Sequence, residues 1–139
     1  MKINAYLSFD GQCEAAFKFY AQCLGGDLVA MFPFAATPAS EHVPAEFRDR
    51  IMHARLVVGD QALMGSDCVP EHPYEGVKGC TVSLNVVTAA EAERLYQALS
   101  VNGKVIMPLQ QTFWAERYGM FVDQYGVPWM VNCEGSVKI

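Results

Sequence analysis

The stretch Tyr118-Gly-Met-Phe-Val-Asp-Gln-Tyr-Gly-Val-Pro-Trp-Met-Val-Asn132 decides the fold that this sequence predicts. Two short apolar runs, residues 120–122 and 127–131, flank Asp123-Gln-Tyr-Gly126, and Asp and Gly favour a tight reversal. The stretch therefore predicts a β-hairpin. An earlier stretch, residues 53–64, repeats the plan with an alternating run, a Gly-Asp turn and a second strand. The chain is predicted to use one structural unit twice.

The first half has the pattern of a strand, a helix and three further strands. Apolar and polar residues alternate over residues 3–9, which is typical of a strand with one buried face. Residues 12–24 have a helical stripe, which Gly25-Gly26 ends, and its members are Ala16, Phe19, Tyr20 and Cys23. Strands are predicted at residues 28–34, 51–58 and 61–65. A long loop, residues 35–49, joins the first two of them and is either a lid or mobile.

The second half repeats this order. Residues 81–87 alternate as the first strand does, and Thr88 and Glu91 have the spacing of a helix capping box. The helix that follows has its apolar stripe at Ala92, Leu95, Tyr96 and Leu99. A strand at residues 104–109 then leads to the hairpin. Each half is thus predicted to be a βαβββ module.

These elements predict an α+β fold of two βαβββ modules. The first module covers about residues 1–67, the linker 68–79 and the second module 80–134. At 139 residues the halves are each too small to bury a sufficient core alone, so they are expected to form a single domain. A helix covers only one face of each four-stranded sheet, and the other faces are expected to curl around a shared cleft.

Composition excludes several classes of protein. A net charge of −5 and a pI near 5.1, with no basic run, argue against nucleic acid or an anionic membrane surface as a partner. No apolar stretch approaches the ~18–20 residues of a membrane helix, and the N-terminus lacks a secretion signal. Five cysteines without metal-binding spacing predict free thiols. The sequence predicts a soluble cytoplasmic protein.

The polar positions of the first strand in each module are expected to face the cleft; they are Asn4, Tyr6, Ser8, Thr81, Ser83 and Asn85. By the same alternation His53 and Arg55 turn to the cleft side. His53 is then an acid, base or ligand, or a structural hydrogen-bonded residue. Arg55 either pairs with an anionic ligand or forms a salt bridge with Asp67 or Glu116.

Large side chains leave two alternatives open. Trp114 and Trp129 can form flat walls for a planar ligand, or they can be core or dimer contacts. Met64 and Met130 suit either a pocket floor or core filling. Cys68 lies where the chain leaves the last strand of the first module, but no sequence-linked His activates it as a nucleophile.

The repeated modules, the Phe19-Tyr20 pair before Gly25-Gly26, the Thr112-Phe-Trp114 segment and the hairpin resemble the PhnB-like branch of the vicinal oxygen chelate superfamily. This superfamily contains glyoxalase I, bleomycin-resistance proteins and extradiol dioxygenases. The resemblance extends from Ile3 to Asn132. It implies a glyoxalase-like fold and a homodimer. A methyltransferase activity is not expected, since no Gly-rich methyl-donor loop follows a strand.

The resemblance also implies where a metal would be bound. Metal-using members take ligands from the first and last strand of each module, which here correspond to Asn4, Met64, Thr81 and Met130. None of these is His or Glu, and this set would hold a divalent ion poorly. No metal or other cofactor is therefore expected, although the sequence does not exclude a divalent metal at a rearranged site.

The leading hypothesis is a small-molecule binding protein of the bleomycin-resistance type. Its predicted ligand-binding residues are Asn4, Tyr6, His53, Arg55, Met64, Thr81, Ser83, Trp114, Met130 and Asn132. The competing hypothesis is an enzyme, namely a lyase, an isomerase or a metalloenzyme with a rearranged site, that uses His53 as its catalytic residue. A third hypothesis is a domain whose only partner is a second copy of itself.

Overall fold

The structure, a computed structural model, describes residues 1–135. The chain divides into two compact units, Met1–Gly76 and Val77–Ile139. The first unit contains, in order, β1 (Tyr6–Phe9), α1 (Cys13–Leu24), β2 (Asp27–Pro33), β3 (Ile51–Val58) and β4 (Gln61–Asp67). The described part of the second unit contains β5 (Val82–Val86), α2 (Ala89–Leu99), β6 (Lys104–Gln110), β7 (Arg117–Val122) and β8 (Pro128–Cys133).

Each unit has one mixed four-stranded sheet, in the order β1-β4-β3-β2 and β5-β8-β7-β6. The first and last strands of each unit are parallel neighbours, and the remaining pairs are antiparallel. The predicted α+β class and the two βαβββ modules are confirmed. No helix in the described part of the chain is long and apolar enough to cross a membrane.

The core of the first unit lies between α1 and one face of its sheet. Phe9 of β1 packs edge-on against Phe17 of α1, with 6.0 Å between ring centres, and Tyr20 packs against Phe17 at 5.8 Å. Ala54 and Leu56 of β3 are fully buried on the same face. The prediction of Phe19 in the helical stripe is wrong, because Phe17, one turn after Cys13, takes that buried position.

The second core is built in the same way. All four predicted stripe residues of α2 are buried, and Tyr96 packs edge-on against Phe121 at 5.1 Å. The Thr88 hydroxyl accepts a hydrogen bond from the Glu91 amide at 3.2 Å, as the capping box predicts. The carboxylate of Glu91, however, is paired with Arg94 at 2.7 Å.

Several predicted bounds needed correction. The strand predicted at residues 61–65 continues to Asp67, and β7 begins at Arg117 rather than at Met120. The loop at residues 35–49 contains short 3₁₀ segments, the first of which begins at Phe34. The two strand differences arise because pairing with a neighbouring strand extends a strand beyond its own apolar run.

Two buried carboxylates anchor turns within the units. Asp67, at the end of β4, accepts hydrogen bonds from the amides of Gly11, Cys13 and Ile51 at 2.8–3.0 Å. It therefore joins the start of α1 and the start of β3 to β4. Asp123 has the corresponding role in the β7–β8 hairpin, where it binds the amides of Tyr125 and Val127.

Candidate functional site

The face of each sheet that its own helix does not cover is called the helix-free face. In the first unit, a row of register partners crosses this face from Tyr6 of β1 to Met64 of β4 and then to Arg55 of β3. Ala30 of β2 is the next partner beyond Arg55. Side chains alternate along a strand, so these four lie on the face opposite the buried Leu56. The structure thus brings three predicted ligand-binding residues together.

Tyr6 and His53 form the best-defined polar contact on this face. The Tyr6 hydroxyl lies 3.1 Å from Nδ1 of His53, and the two rings are stacked with 5.8 Å between their centres. If the phenol donates to Nδ1, the neutral imidazole carries its proton on Nε2, which is then the free donor. Phe32, the β2 partner of His53, is also exposed.

Arg55 is exposed on the same face. Within residues 1–76, all of which the structure describes, Arg55 makes no ion pair. Asp67, one of its two predicted partners, is 4 % exposed and is engaged by three backbone amides instead. The guanidinium group is therefore available to an anion from outside the unit.

The helix-free face of the second unit combines thioethers, amides and aromatic rings. Met130 of β8 has Ser83 and Met120 as its register partners. The Tyr118 hydroxyl lies 3.8 Å from the Met130 sulfur, and its ring packs edge-on against Trp114 at 5.2 Å. These contacts make a soft apolar surface with one phenolic hydroxyl.

An amide pair lies next to this apolar surface. Asn132 donates from Nδ2 to Oδ1 of Asn85 at 3.3 Å, and Asn85 donates to the Ser83 hydroxyl at 3.4 Å. Within the part of the chain that the structure describes, the buried Oδ1 of Asn132 has no hydrogen-bond partner. The Asn132 amide thus holds an unpaired acceptor, but this oxygen is buried, so a ligand would reach it only after the side chain moved.

Trp129 is a core residue, so the core alternative holds for it. Its side chain is fully buried, and its indole N–H donates to Oδ2 of Asp123 at 2.8 Å. Trp114 is only half-buried and lies beside Phe113, which is 84 % exposed. For Trp114 the wall role therefore stays a prediction, whereas Trp129 belongs to the core.

Asn4 and Thr81 precede the strands that they were predicted to belong to. Asn4 is exposed ahead of β1, and Thr81 is half-buried ahead of β5. The β1 residue that pairs with Met64 is Tyr6, which lies two positions further along the chain than Asn4.

The side chains that meet on the first and last strands of each unit do not fit a divalent metal ion. The first and last strands of the first unit bring together a phenol and a thioether, and those of the second bring together a hydroxyl and a thioether. Zinc and related ions take imidazole, thiolate or carboxylate ligands. Among residues 1–135, no three side chains of His, Cys, Asp or Glu lie close enough to hold a metal.

Cys68 is poorly suited to nucleophilic chemistry. Burial, and then the charges of Asp10 and Asp67, raise the pKa of its thiol, and Arg50 only partly offsets them. At a given pH, a smaller fraction of Cys68 is therefore in the reactive thiolate form than for an ordinary cysteine.

A groove of about 340 Å³ opens where β1 and β4 end. Ser8 and Ser66, which are register partners, contribute to its lining, as do His72 and Glu75 of the segment that follows β4. Ser66 lies outside the strand predicted at residues 61–65, and His72 lies in the predicted linker, residues 68–79, so neither was predicted as a site residue. Continued alternation after Met64 was the signal that could have identified Ser66.

The fold and these faces define a class of protein. A model of the Glyoxalase/Bleomycin resistance protein/Dioxygenase superfamily matches residues 2–131. The chain belongs to this superfamily, which confirms the resemblance found in the sequence.

Individual relatives agree with this assignment. The chain is 35 % identical over 140 residues to protein YjdN of Escherichia coli K12, and the match covers 95 % of each chain. The crystal structure of PA1353 from Pseudomonas aeruginosa is similar with a TM-score of 0.91 and 57 % identity, covering 98 % of this chain and 99 % of that one. The PhnB protein from Bacillus cereus shares the fold with a TM-score of 0.78 at 22 % identity, covering 96 % and 99 %.

Proposed function

We propose that this protein binds a small planar organic anion on the helix-free face of its first sheet. The observation that carries the proposal is the exposed Arg55, without an ion pair in its unit, in one row with Met64 and beside the hydrogen-bonded Tyr6–His53 pair. A site of this kind combines apolar and aromatic surface with a few polar groups that fix the ligand's orientation.

Each member of the row has a distinct part in the proposed binding. Arg55 pairs with the anionic group, because its planar fork matches a carboxylate. Met64, which lies between Arg55 and Tyr6 in the row, supplies an adaptable apolar surface for the ring. Tyr6 and His53 give a second flat surface and a hydrogen-bond donor.

The helix-free face of the second unit is part of the proposal as a further ligand surface. Met130 and Trp114 offer apolar contact, and Asn132, which is hydrogen-bonded to Asn85, is kept as a predicted polar contact. Thr81 and Ser83 are kept as predicted contacts on this side. A cytoplasmic location and a homodimeric state, both expected from the sequence, complete the proposal. Light scattering on the purified protein would measure the oligomeric state.

The test uses a charged ligand and its neutral counterpart. Benzoate and benzamide are titrated into ¹⁵N-labelled protein, and the dissociation constant is measured from amide chemical shifts. Benzoate is expected to bind, with shifts on β3 and β4, and benzamide to bind more weakly. Replacing Arg55 by Met should weaken benzoate about 10-fold or more, because a hydrogen bond to a charged group contributes about 1.5–3 kcal/mol.

The matched control is Arg94→Met, since Arg94 lies on α2 and pairs with Glu91. This variant should bind benzoate as the unaltered protein does. Equal binding of benzoate and benzamide, or an equal effect of the two substitutions, would refute an anion site at Arg55. Failure of every aromatic acid to bind would refute the proposed function as a whole.

The Tyr6–His53 hydrogen bond favours one second candidate, an enzyme with His53 as general base. A hydrogen bond that orients an imidazole is a common feature of acid–base sites. A His53→Gln variant separates the two functions once a ligand is found. Loss of turnover with binding retained would support the enzyme, and equal binding without turnover in either form would support the binding protein.

A further inference from the structure

The groove at the end of β1 and β4 continues the helix-free face of the first sheet. Ser8 follows Tyr6 by two residues and Ser66 follows Met64 by two, so all four side chains point to the same face. Two residues of strand advance about 6.6 Å. The groove therefore begins roughly one aromatic ring's length from the row that contains Arg55.

The groove is also enclosed on more than one side. Phe34, which is 8 % exposed, forms an apolar part of its lining. His72 and Glu75 contribute from the segment after β4, where the His72 amide donates to the Val69 carbonyl at 2.9 Å. With a volume of about 340 Å³, the groove has room for a substituent of a small ligand.

The chemistry of the lining differs from that of the Arg55 row. The Ser8 and Ser66 hydroxyls can donate or accept hydrogen bonds, so the preference is set by Glu75, which carries a negative charge. The buried Asp67 adds a second negative charge, although its oxygens are engaged by backbone amides. The groove thus favours a hydrogen-bond donor or a cation, whereas Arg55 favours an anion.

We propose that the groove receives a donor or ammonium group of a planar acid whose anionic group pairs with Arg55. The inference rests on the proposed function, because it extends the same site. The ligand class that it names is a flat acid with a hydrogen-bond donor or an amine at the opposite end. The negative charge of the groove lining does not fit an acid with a second carboxylate at that end.

Three ligands of similar shape test whether the site binds an anionic group at Arg55 and a donor or cation in the groove. Para-(aminomethyl)benzoate, para-toluate and terephthalate share the ring and the carboxylate and differ only at the far end. Their dissociation constants are measured by the same amide-shift titration at one fixed pH. The aminomethyl compound is expected to bind most tightly and terephthalate most weakly, with shifts of the Ser66 and His72 amides specific to the first.

Glu75→Gln should weaken the aminomethyl compound about two- to five-fold, the range expected for an exposed ion pair of up to about 1 kcal/mol. It should leave para-toluate unchanged. Glu71→Gln is the control, because Glu71 lies in the same segment but does not line the groove. Both variants lose one negative charge, so a general charge effect would act on them equally.

The outcomes separate the two proposals. In one outcome, para-toluate binds in an Arg55-dependent way, but neither the far-end group nor Glu75 changes the dissociation constant. The groove proposal is then refuted, and the proposed function stands. If terephthalate binds most tightly, the assigned charge order is wrong. If no aromatic acid binds, the proposed function fails and the groove proposal fails with it.

Discussion

Replacement of Asp67 by Asn should destabilise the protein more than any exposed charge substitution. Oδ1 of Asp67 accepts from Gly11 and Cys13 at 2.9 and 3.0 Å, and Oδ2 accepts from Ile51 at 2.8 Å. An asparagine keeps one oxygen, and its NH₂ group would face a backbone N–H. The substitution thus removes a charge-assisted bond, about 1.5–3 kcal/mol, and leaves a buried donor unpaired at about 1–3 kcal/mol.

These contributions are not strictly additive, so the expected loss is about 2–5 kcal/mol in the free energy of unfolding. Guanidinium denaturation followed by circular dichroism, at one protein concentration, measures it. The Ile51 amide should also exchange with deuterium faster in the variant. This second measurement reports the lost bond directly, even if relaxation elsewhere reduces the loss of stability.

Asp10→Asn is the matched control for this prediction. Asp10 pairs with Arg50 at 3.0 Å, but its side chain is 60 % exposed, so solvent screens the pair. The control should lose about 0–1 kcal/mol. If the two variants unfold at the same denaturant concentration, Asp67 does not join α1, β3 and β4 in the way argued from the structure.

Two further predictions concern packing and thiol chemistry. Gly65→Ala should lose about 1–3 kcal/mol of stability, the usual effect of overpacking, because its added Cβ would lie 2.8 Å from the Leu7 carbonyl oxygen and from a ring carbon of Phe17; an unchanged melting temperature would contradict this. In labelling with a thiol reagent at several pH values, Cys80 should react first because it is exposed, whereas Cys68 should need a higher pH because its pKa is raised. Mass spectrometry of the labelled peptides checks the order, and equal rates at neutral pH would refute it.

Much of the local structure followed from the sequence. The stripe of α2 and its Thr88 cap were predicted correctly, because a helix period and a cap depend on residues within a few positions of one another. Strand β3, Ile51–Val58, was predicted with its full bounds. The repeated hairpins likewise identified both modules, since turn residues and alternation are local signals.

Local patterns were less reliable where two apolar residues could each take the same buried position. In α1, Phe17 and Phe19 are both large and apolar, and only packing against Phe9 and the sheet decided that Phe17 is the buried one. Trp129 showed the same difficulty. It lies in a run that is apolar on both faces, and only its complete burial in the folded unit, with its bond to Asp123, established it as core.

The sequence by itself determined the βαβββ order and the strands that carry Tyr6, His53 and Arg55, whereas Asn4 and Thr81 precede the strands predicted for them. Only the tertiary structure decided which of these positions meet. Tyr6 and His53 are far apart in the sequence, and Asp67 joins β4 to two separate segments, the starts of α1 and β3. The physical reason is that strand register and chain closure fix such contacts, and neither is encoded in the periodicity of a single element.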